Sequence, residues 1–122
     1  MAAIARLSVF ALDCRDPQSL ARFYGAITDW KVDRDDGEWV QLRSDGGATL
    51  AFQLAPDHEP PVWPSADHPQ QAHLDFDVDD LATGESKVMA LGARRAEWQP
   101  EPAAFRVFLD PAGHPFCLVL AR

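Results

Sequence analysis

In the segment AHLDFDVDDL, residues 72–81, a histidine opens a run in which acidic and apolar residues alternate strictly. Side chains two apart in a β-strand leave the same face, so His73, Asp75 and Asp77 form one row and Leu74, Phe76 and Val78 the other. One imidazole and two carboxylates lining a concave site can accept hydrogen bonds, hold a cation or move a proton. Facing water, the same row is chemically silent. His73 is then a strand-end histidine bonded to a neighbour, and the aspartates are rim charges, Asp77 more so than Asp75. An Asp75 that faces a cavity would pair with a cationic group or keep its proton to higher pH.

The remaining reactive groups are few. In HPFCLVL, Cys117 and Val119 share a face opposite His114, Phe116, Leu118 and Leu120. Cys117 with His73 as its base would be a nucleophilic pair. The chain supplies neither a third orienting group nor an oxyanion hole for it, and buried cysteine is ordinarily inert filling. Cys14 falls on the helix-packing side, and His114 beside Pro115 reads as a turn-shaping residue. Among the four tryptophans, Trp30 follows a helix and is expected in the core. Trp39 in EWVQL, Trp63 in PVWPS and Trp98 in AEWQP sit at strand starts or in loops. With Phe105 and Phe108 they suit an aromatic pocket wall, and indole faces attract cations; ordinary packing is the alternative for any one of them.

Two helices and several strands must position these groups. The first half runs strand, DPQSLARFYGAITDW, then strands ending in DGGATLAFQLA; the second runs AHLDFDV, DDLATGESKVMALGA, then strands ending in DPAGHPFCLVLA. Between them PDHEPPVWPSADHPQQ holds five prolines, which exclude regular helix and interior strand. Asp16 can cap the first helix with Pro17 at its first position, and Leu20, Phe23, Tyr24 and Ile27 recur as one apolar stripe. Asp79 or Asp80 caps the second, Leu81, Val88 and Leu91 face inward, and Gly92 suits a left-handed stop. Gly84 weakens that helix by about 1 kcal/mol. In TLAFQLA, Ala51 and Gln53 lie opposite Leu50, Phe52 and Leu54. The expected fold is therefore α+β: two βαβββ modules, residues 4–55 and 72–122 around a linker at 56–71, whose curved mixed sheet forms a cup within a single domain.

Size and composition agree with that scale. A chain of 122 residues buries roughly two thirds of its unfolded surface and needs no staple. Hydrophobic residues make up 47 %, yet no apolar run approaches the roughly 20 residues that cross a bilayer. The opening MAAIARLSVFALDCRD is broken by Asp13 and reads as a strand, not a secretion signal, so a cytoplasmic protein is expected. Two cysteines are too few for a disulfide framework and too far apart for a zinc knuckle. Nineteen acidic against eleven basic residues give a net charge of −8, which repels phosphate backbones and argues against nucleic acid. The same field attracts cations or simply keeps the chain soluble.

The pattern resembles the vicinal oxygen chelate superfamily, which includes glyoxalase I, bleomycin-resistance proteins, fosfomycin-resistance enzymes and extradiol dioxygenases. FY in the first helix, WP in the linker and DPAGHPFCL near the end carry the likeness to its glyoxalase-like branch. The resemblance implies a metal held by four inward-facing side chains, two from each module. His73 matches one such position. Its counterpart in the first module is Val9, beside Ser8; the two remaining positions are read as Gln53 and Cys117. With no carboxylate at any of the four, the set is poor for a Lewis-acid ion, and no cofactor is expected.

The expectation is thus a metal-independent protein that binds a small aromatic or cationic molecule, such as an antibiotic, through His73, Gln53, Cys117, Asp75, Trp39, Trp63 and Phe108. No catalytic residue is assigned. The resemblance to drug-sequestering proteins implies a symmetric homodimer. The alternatives are a metal-dependent lyase, isomerase or dioxygenase using His73, Gln53 and Cys117, or an interaction domain with a filled cup.

Overall fold

The computed structural model describes residues 3–121. In that span the chain runs β1 (Phe10–Cys14), α1 (Pro17–Thr28), β2 (Lys31–Asp35), β3 (Trp39–Arg43), β4 (Thr49–Leu54), β5 (Leu74–Val78), α2 (Leu81–Ala90), β6 (Arg94–Arg95), β7 (Phe105–Leu109) and β8 (Pro115–Leu120). It divides into two compact units, one ending at His58 and the other beginning at Glu59. Each is a βαβββ module with its own four-stranded mixed sheet, ordered β1-β4-β3-β2 in the first and β5-β8-β7-β6 in the second. In both, the first and last strands pair in parallel and the others antiparallel. A parallel pair needs a crossover, which the helix supplies.

Helix α1 starts where Asp16 accepts a hydrogen bond from the Ser19 N–H at 3.1 Å, with Pro17 in the first turn. It stops at Asp29, which takes a left-handed φ of 59° while its N–H donates to the Gly25 carbonyl. Leu20, Phe23 and Tyr24 are buried, and Tyr24 stacks on Phe52 with ring centroids 5.6 Å apart. Alternation then sends Val40, Leu42, Leu50 and Phe52 into this core. Trp30, expected in the core, is only half-buried, because the chain turns away at Asp29 before reaching it.

In the second unit Asp80 is the cap, accepting from the Thr83 N–H at 3.0 Å and from the Thr83 hydroxyl. Leu81 and Val88 are buried, but Leu91 is 42 % exposed. It is the residue at which the helix closes, so the apolar stripe does not extend to it. Gly84 has a physical reason to be glycine. A Cβ there would stand 3.1 Å from Leu118 Cδ1 and 3.3 Å from Val78 Cγ1, so α2 can sit close on its sheet only without a side chain.

Residues 55–73 contain no helix or strand. The linker is nevertheless pinned: the Val62 N–H donates to the His68 carbonyl and the Ser65 N–H to the Val62 carbonyl, each at 2.7 Å. Gly113, at φ +90°, lies so near Pro60 that a Cβ would meet the proline Cβ at 2.3 Å. Gly113 belongs to a turn built on Asp110, a buried carboxylate that accepts from the Ala112 N–H at 2.8 Å and the His114 N–H at 3.0 Å. Among the described residues no helix is long and apolar enough to cross a membrane.

Candidate ligand-binding site

The ladder of the second sheet decides which side chains meet. Asp75 stands opposite Cys117, Cys117 opposite Val107, and Val119 opposite Phe105. These residues leave the face turned away from α2, while Phe116, Leu118 and Phe108 leave the other and are buried beneath the helix side. His73, just ahead of β5, continues the row of Asp75. Its Nε2 lies 3.1 Å from Asp75 Oδ1. The ligating atoms of His73, Asp75 and Cys117 all fall within 4.8 Å of one another. Asp77 is on the same row and exposed, as His73 and Asp75 are, but it does not line the cavity described below.

Burial pushes the Cys117 thiol up to about 12, and the Asp75 carboxylate, by its charge and by accepting the thiol hydrogen, pushes the same way. At neutral pH the sulfur is therefore a thiol, and a nucleophile needs the thiolate. The His73–Asp75 pair is half exposed, at 41 % and 56 %, so its contribution to stability is small. What the pair does is hold an imidazole and a carboxylate at the mouth of a hollow.

The same cavity has an aromatic part. Trp63, carried by the pinned linker, stacks on Trp98 with centroids 5.1 Å apart and planes 29° from parallel. Trp98 is placed by its neighbour Gln99, whose amide NH₂ donates to the Ala96 and Val107 carbonyls at 2.9 and 2.8 Å while its oxygen accepts from the Val107 N–H at 2.9 Å. The side chain thus satisfies backbone that a paired strand would have satisfied. Ala96, Val107 and Cys117 form the floor, with Trp63, Phe105 and Val119 packed against it. All of these but Ala96 border a cavity of about 380 Å³ whose lining residues all come from the second unit, within the range that holds small organic ligands.

Of the residues expected at the site, His73, Asp75, Cys117 and Trp63 line this one cavity. Phe108 does not. It is fully buried against Phe116, at 5.7 Å between centroids, because it lies an odd number of residues from Phe105 on the same strand. Gln53 and Trp39 belong to the first unit, where they face each other across β3 and β4. There the Trp39 indole N–H donates to Gln41 at 3.2 Å and Arg34 lies 5.9 Å from its ring centre. The ladders also revise the reading of Gln53. Counted from the caps Asp16 and Asp80, Ala11 corresponds to Asp75. Ala11 stands opposite Ala51 as Asp75 stands opposite Cys117, so the counterpart of Cys117 is Ala51 and not Gln53. Gln70 was missed, since HPQQAH has no periodicity to mark it; it lines the cavity too.

A double βαβββ chain with a polar row on one inner strand face defines a glyoxalase-type domain. The glyoxalase-like domain family matches residues 9–119, and the chain belongs to that family, within the vicinal oxygen chelate superfamily. No curated protein matches it. Among solved structures it is similar to a glyoxalase/bleomycin resistance/dioxygenase family enzyme from Burkholderia phytofirmans PsJN, at 21 % identity over 93 % of this chain and 97 % of that one, TM-score 0.70. It is similar also to the oxidase ChaP-H2, at 19 % identity over 98 % and 96 %, TM-score 0.65. A third is the bleomycin-binding protein of bleomycin-producing Streptomyces verticillus in complex with copper(II)-bleomycin, at 14 % identity over the whole of both chains, TM-score 0.59. At such identities the likeness is one of fold, and fold does not fix function.

The metal that the superfamily resemblance implies finds a poor fit here. The first-module positions equivalent to His73 and Cys117 are Val9 and Ala51, neither of which carries a donor atom. In the second module His73, Asp75 and Cys117 offer three donor atoms within 4.8 Å of one another. The residues present do not make the four-donor set.

Proposed function

We propose that this domain binds a small aromatic or cationic organic molecule without a metal, in the cavity of its second unit. The observation that carries the reading is that the Trp63–Trp98 stack and the Asp75 carboxylate line one cavity, with the apolar side chains of Phe105, Val107 and Val119 also in the lining. Indole faces and a carboxylate both attract cations. No Lys or Arg is among the described residues that line the cavity, so an anionic substrate would find no partner charge. The net charge of −8 acts in the same sense over longer range. The fold likeness to a bleomycin-binding protein supports sequestration of such a compound, and a homodimer is part of the reading. Titrating the full chain with a panel of aromatic cations, followed by tryptophan fluorescence and calorimetry, tests it. Binding in the micromolar range to several members is expected; nothing tighter than millimolar across the panel overturns it.

A second reading, a metal-dependent lyase, isomerase or dioxygenase, is favoured by the closeness of the His73, Asp75 and Cys117 donor atoms. One imidazole, one carboxylate and one thiol suit zinc better than harder ions. Stoichiometric zinc retained through dialysis, with one proton released per ion bound, would decide for it.

A further inference from the structure

The two units close the same edge of their sheets differently. In the first, β2 pairs with β3 from Lys31 to Asp35, and Gln41 has Arg34 as its partner. In the second, β6 pairs only Arg94 with Leu109 and Arg95 with Phe108. The Ala96 N–H still donates to the Val107 carbonyl at 3.1 Å, and there the strand gives out. Val107 stands opposite Cys117 as Gln41 stands opposite Ala51, so it is the place where a partner strand is missing. The Gln99 side chain fills it. Its Oε1 accepts from the Val107 N–H at 2.9 Å, and its NH₂ donates to the Val107 carbonyl at 2.8 Å and to the Ala96 carbonyl at 2.9 Å. Trp98 and Pro100, on either side of it in sequence, line the cavity, and Gln99 does not. Trp98 is exposed, so burial does little to hold it. What holds it is the Trp63 ring, 5.1 Å away, and the three hydrogen bonds one residue along.

We infer that Gln99 is a positioning residue for ligand binding: an amide that no ligand touches fixes the segment bearing Trp98, and so sets how tightly the cavity holds an aromatic ring. This rests on the reading that the cavity takes an aromatic cation, and adds the residue on which the ring contact depends. Without the amide, the Val107 and Ala96 groups must turn to water, and the segment carrying Trp98 is no longer tied to the sheet. Asp75, on β5 and separated from β7 by β8, keeps its place.

The test is a double-mutant cycle on the full chain with benzyltrimethylammonium as the probe, read by calorimetry. Gln99→Met, similar in length and without the amide, should weaken binding at least about threefold, the size of one aromatic contact. Trp98→Ala should weaken it as well, and the double variant should bind no more weakly than Trp98→Ala alone. Losses that add in full, or a folded Gln99→Met that is less stable but binds as before, overturn the inference. A second readout needs no ligand. Indoles stacked as closely as Trp63 and Trp98 couple their transitions and give a paired band in circular dichroism. Trp98→Ala abolishes that band and Gln99→Met should weaken it; a band left intact overturns the inference. Should Gln99→Met fail to fold, hydrogen exchange in the unaltered protein decides. Saturating probe should slow exchange at the Gln99 NH₂ and the Val107 N–H, because a ligand resting on Trp98 reciprocally stabilises what holds Trp98, and bound probe without slowing overturns the inference. Failure of the unaltered protein to bind the probe counts against the aromatic-cation reading, and the paired band then decides the hold of Gln99 on Trp98 by itself.

Discussion

Replacing Asp75 with asparagine should move the alkylation profile of Cys117 to lower pH without bringing it to that of a free thiol. Two causes hold the sulfur protonated, burial first and Asp75 second, and together they carry it from 9.0 to about 12. At about pH 8 roughly one thiol in ten thousand is then ionised, against about one in ten for an unperturbed group, so Cys117 should react about a thousandfold more slowly. Asp75→Asn removes the charge but leaves burial, the largest single cause, in place. The midpoint should fall, and the rate at about pH 8 rise, while both stay short of those of a free thiol. Iodoacetamide labelling across the pH range, with peptide mapping to separate Cys117 from the buried Cys14, reads this out. The midpoint matters more than the rate, since restricted access slows labelling at every pH and shifts no midpoint. A Cys117 midpoint near 9 in the unaltered protein, or one that Asp75→Asn leaves in place, would refute the reasoning. The same thiol has a stability consequence of definite sign. Its pKa is higher folded than unfolded, so its contribution is intact below about 9 and is lost as pH rises from 9.0 towards about 12, by at most about 4 kcal/mol. Cys117→Ala should lack that part of the alkaline loss, as measured by urea unfolding with the native fold checked by circular dichroism.

Other perturbations follow from the packing. Gly84→Ala gains about 1 kcal/mol of helix propensity but drives a methyl against Leu118 and Val78, which costs about 1–3 kcal/mol; a net loss of about 1 kcal/mol in urea unfolding is expected, and a stabilised variant would contradict the close approach. Asp110→Ala strips the acceptor from the Ala112 and His114 N–H groups inside a buried turn, a loss of about 2–4 kcal/mol that Asp110→Asn should partly restore. Trp63→Ala removes half of the indole stack; about 2 kcal/mol of stability and the fluorescence response to aromatic cations should go together.

The elements were legible because their signals are local. Asp16 and Asp80 each sit one residue ahead of a helical pattern, and a cap acts over only three residues. The polar row of His73 and Asp75 was legible for the same reason, since alternation needs no partner strand. Phe108 shows a signal present but unread. Phe105 and Phe108 are three apart, and a period of two cannot put both on one face. Gln53 shows where local information ends. Whether Gln53 or Ala51 answers to Cys117 depends on how β1 registers against β4, a pairing some forty residues apart in sequence, and a slip of two keeps every side chain on its proper face. Gln70 and the placement of Trp63 depend on how a proline-rich segment folds back, through contacts such as Pro60 against Gly113. Composition alone marks such a segment only as irregular.

The two modules repeat a backbone but not a chemistry. At equivalent places the first carries Val9, Ala11 and Ala51, and the second His73, Asp75 and Cys117. A ladder fixes where side chains emerge and is indifferent to what they are, so one copy can carry donors while the other is apolar. In the copy that carries them, Asp75 has two consequences that cannot be separated. Its charge holds the Cys117 proton on, and its charge is also what a cationic ligand would meet. A bound cation must therefore weaken the hold on the thiol, because an opposite charge beside Asp75 offsets the field at sulfur. A saturating aromatic cation such as benzamidinium should lower the Cys117 alkylation midpoint without bringing it to that of a free thiol, since burial remains, while slowing the plateau rate by covering the sulfur. A ligand bound elsewhere would change neither. One that filled the cavity without reaching Asp75 would slow the plateau and leave the midpoint where it stood.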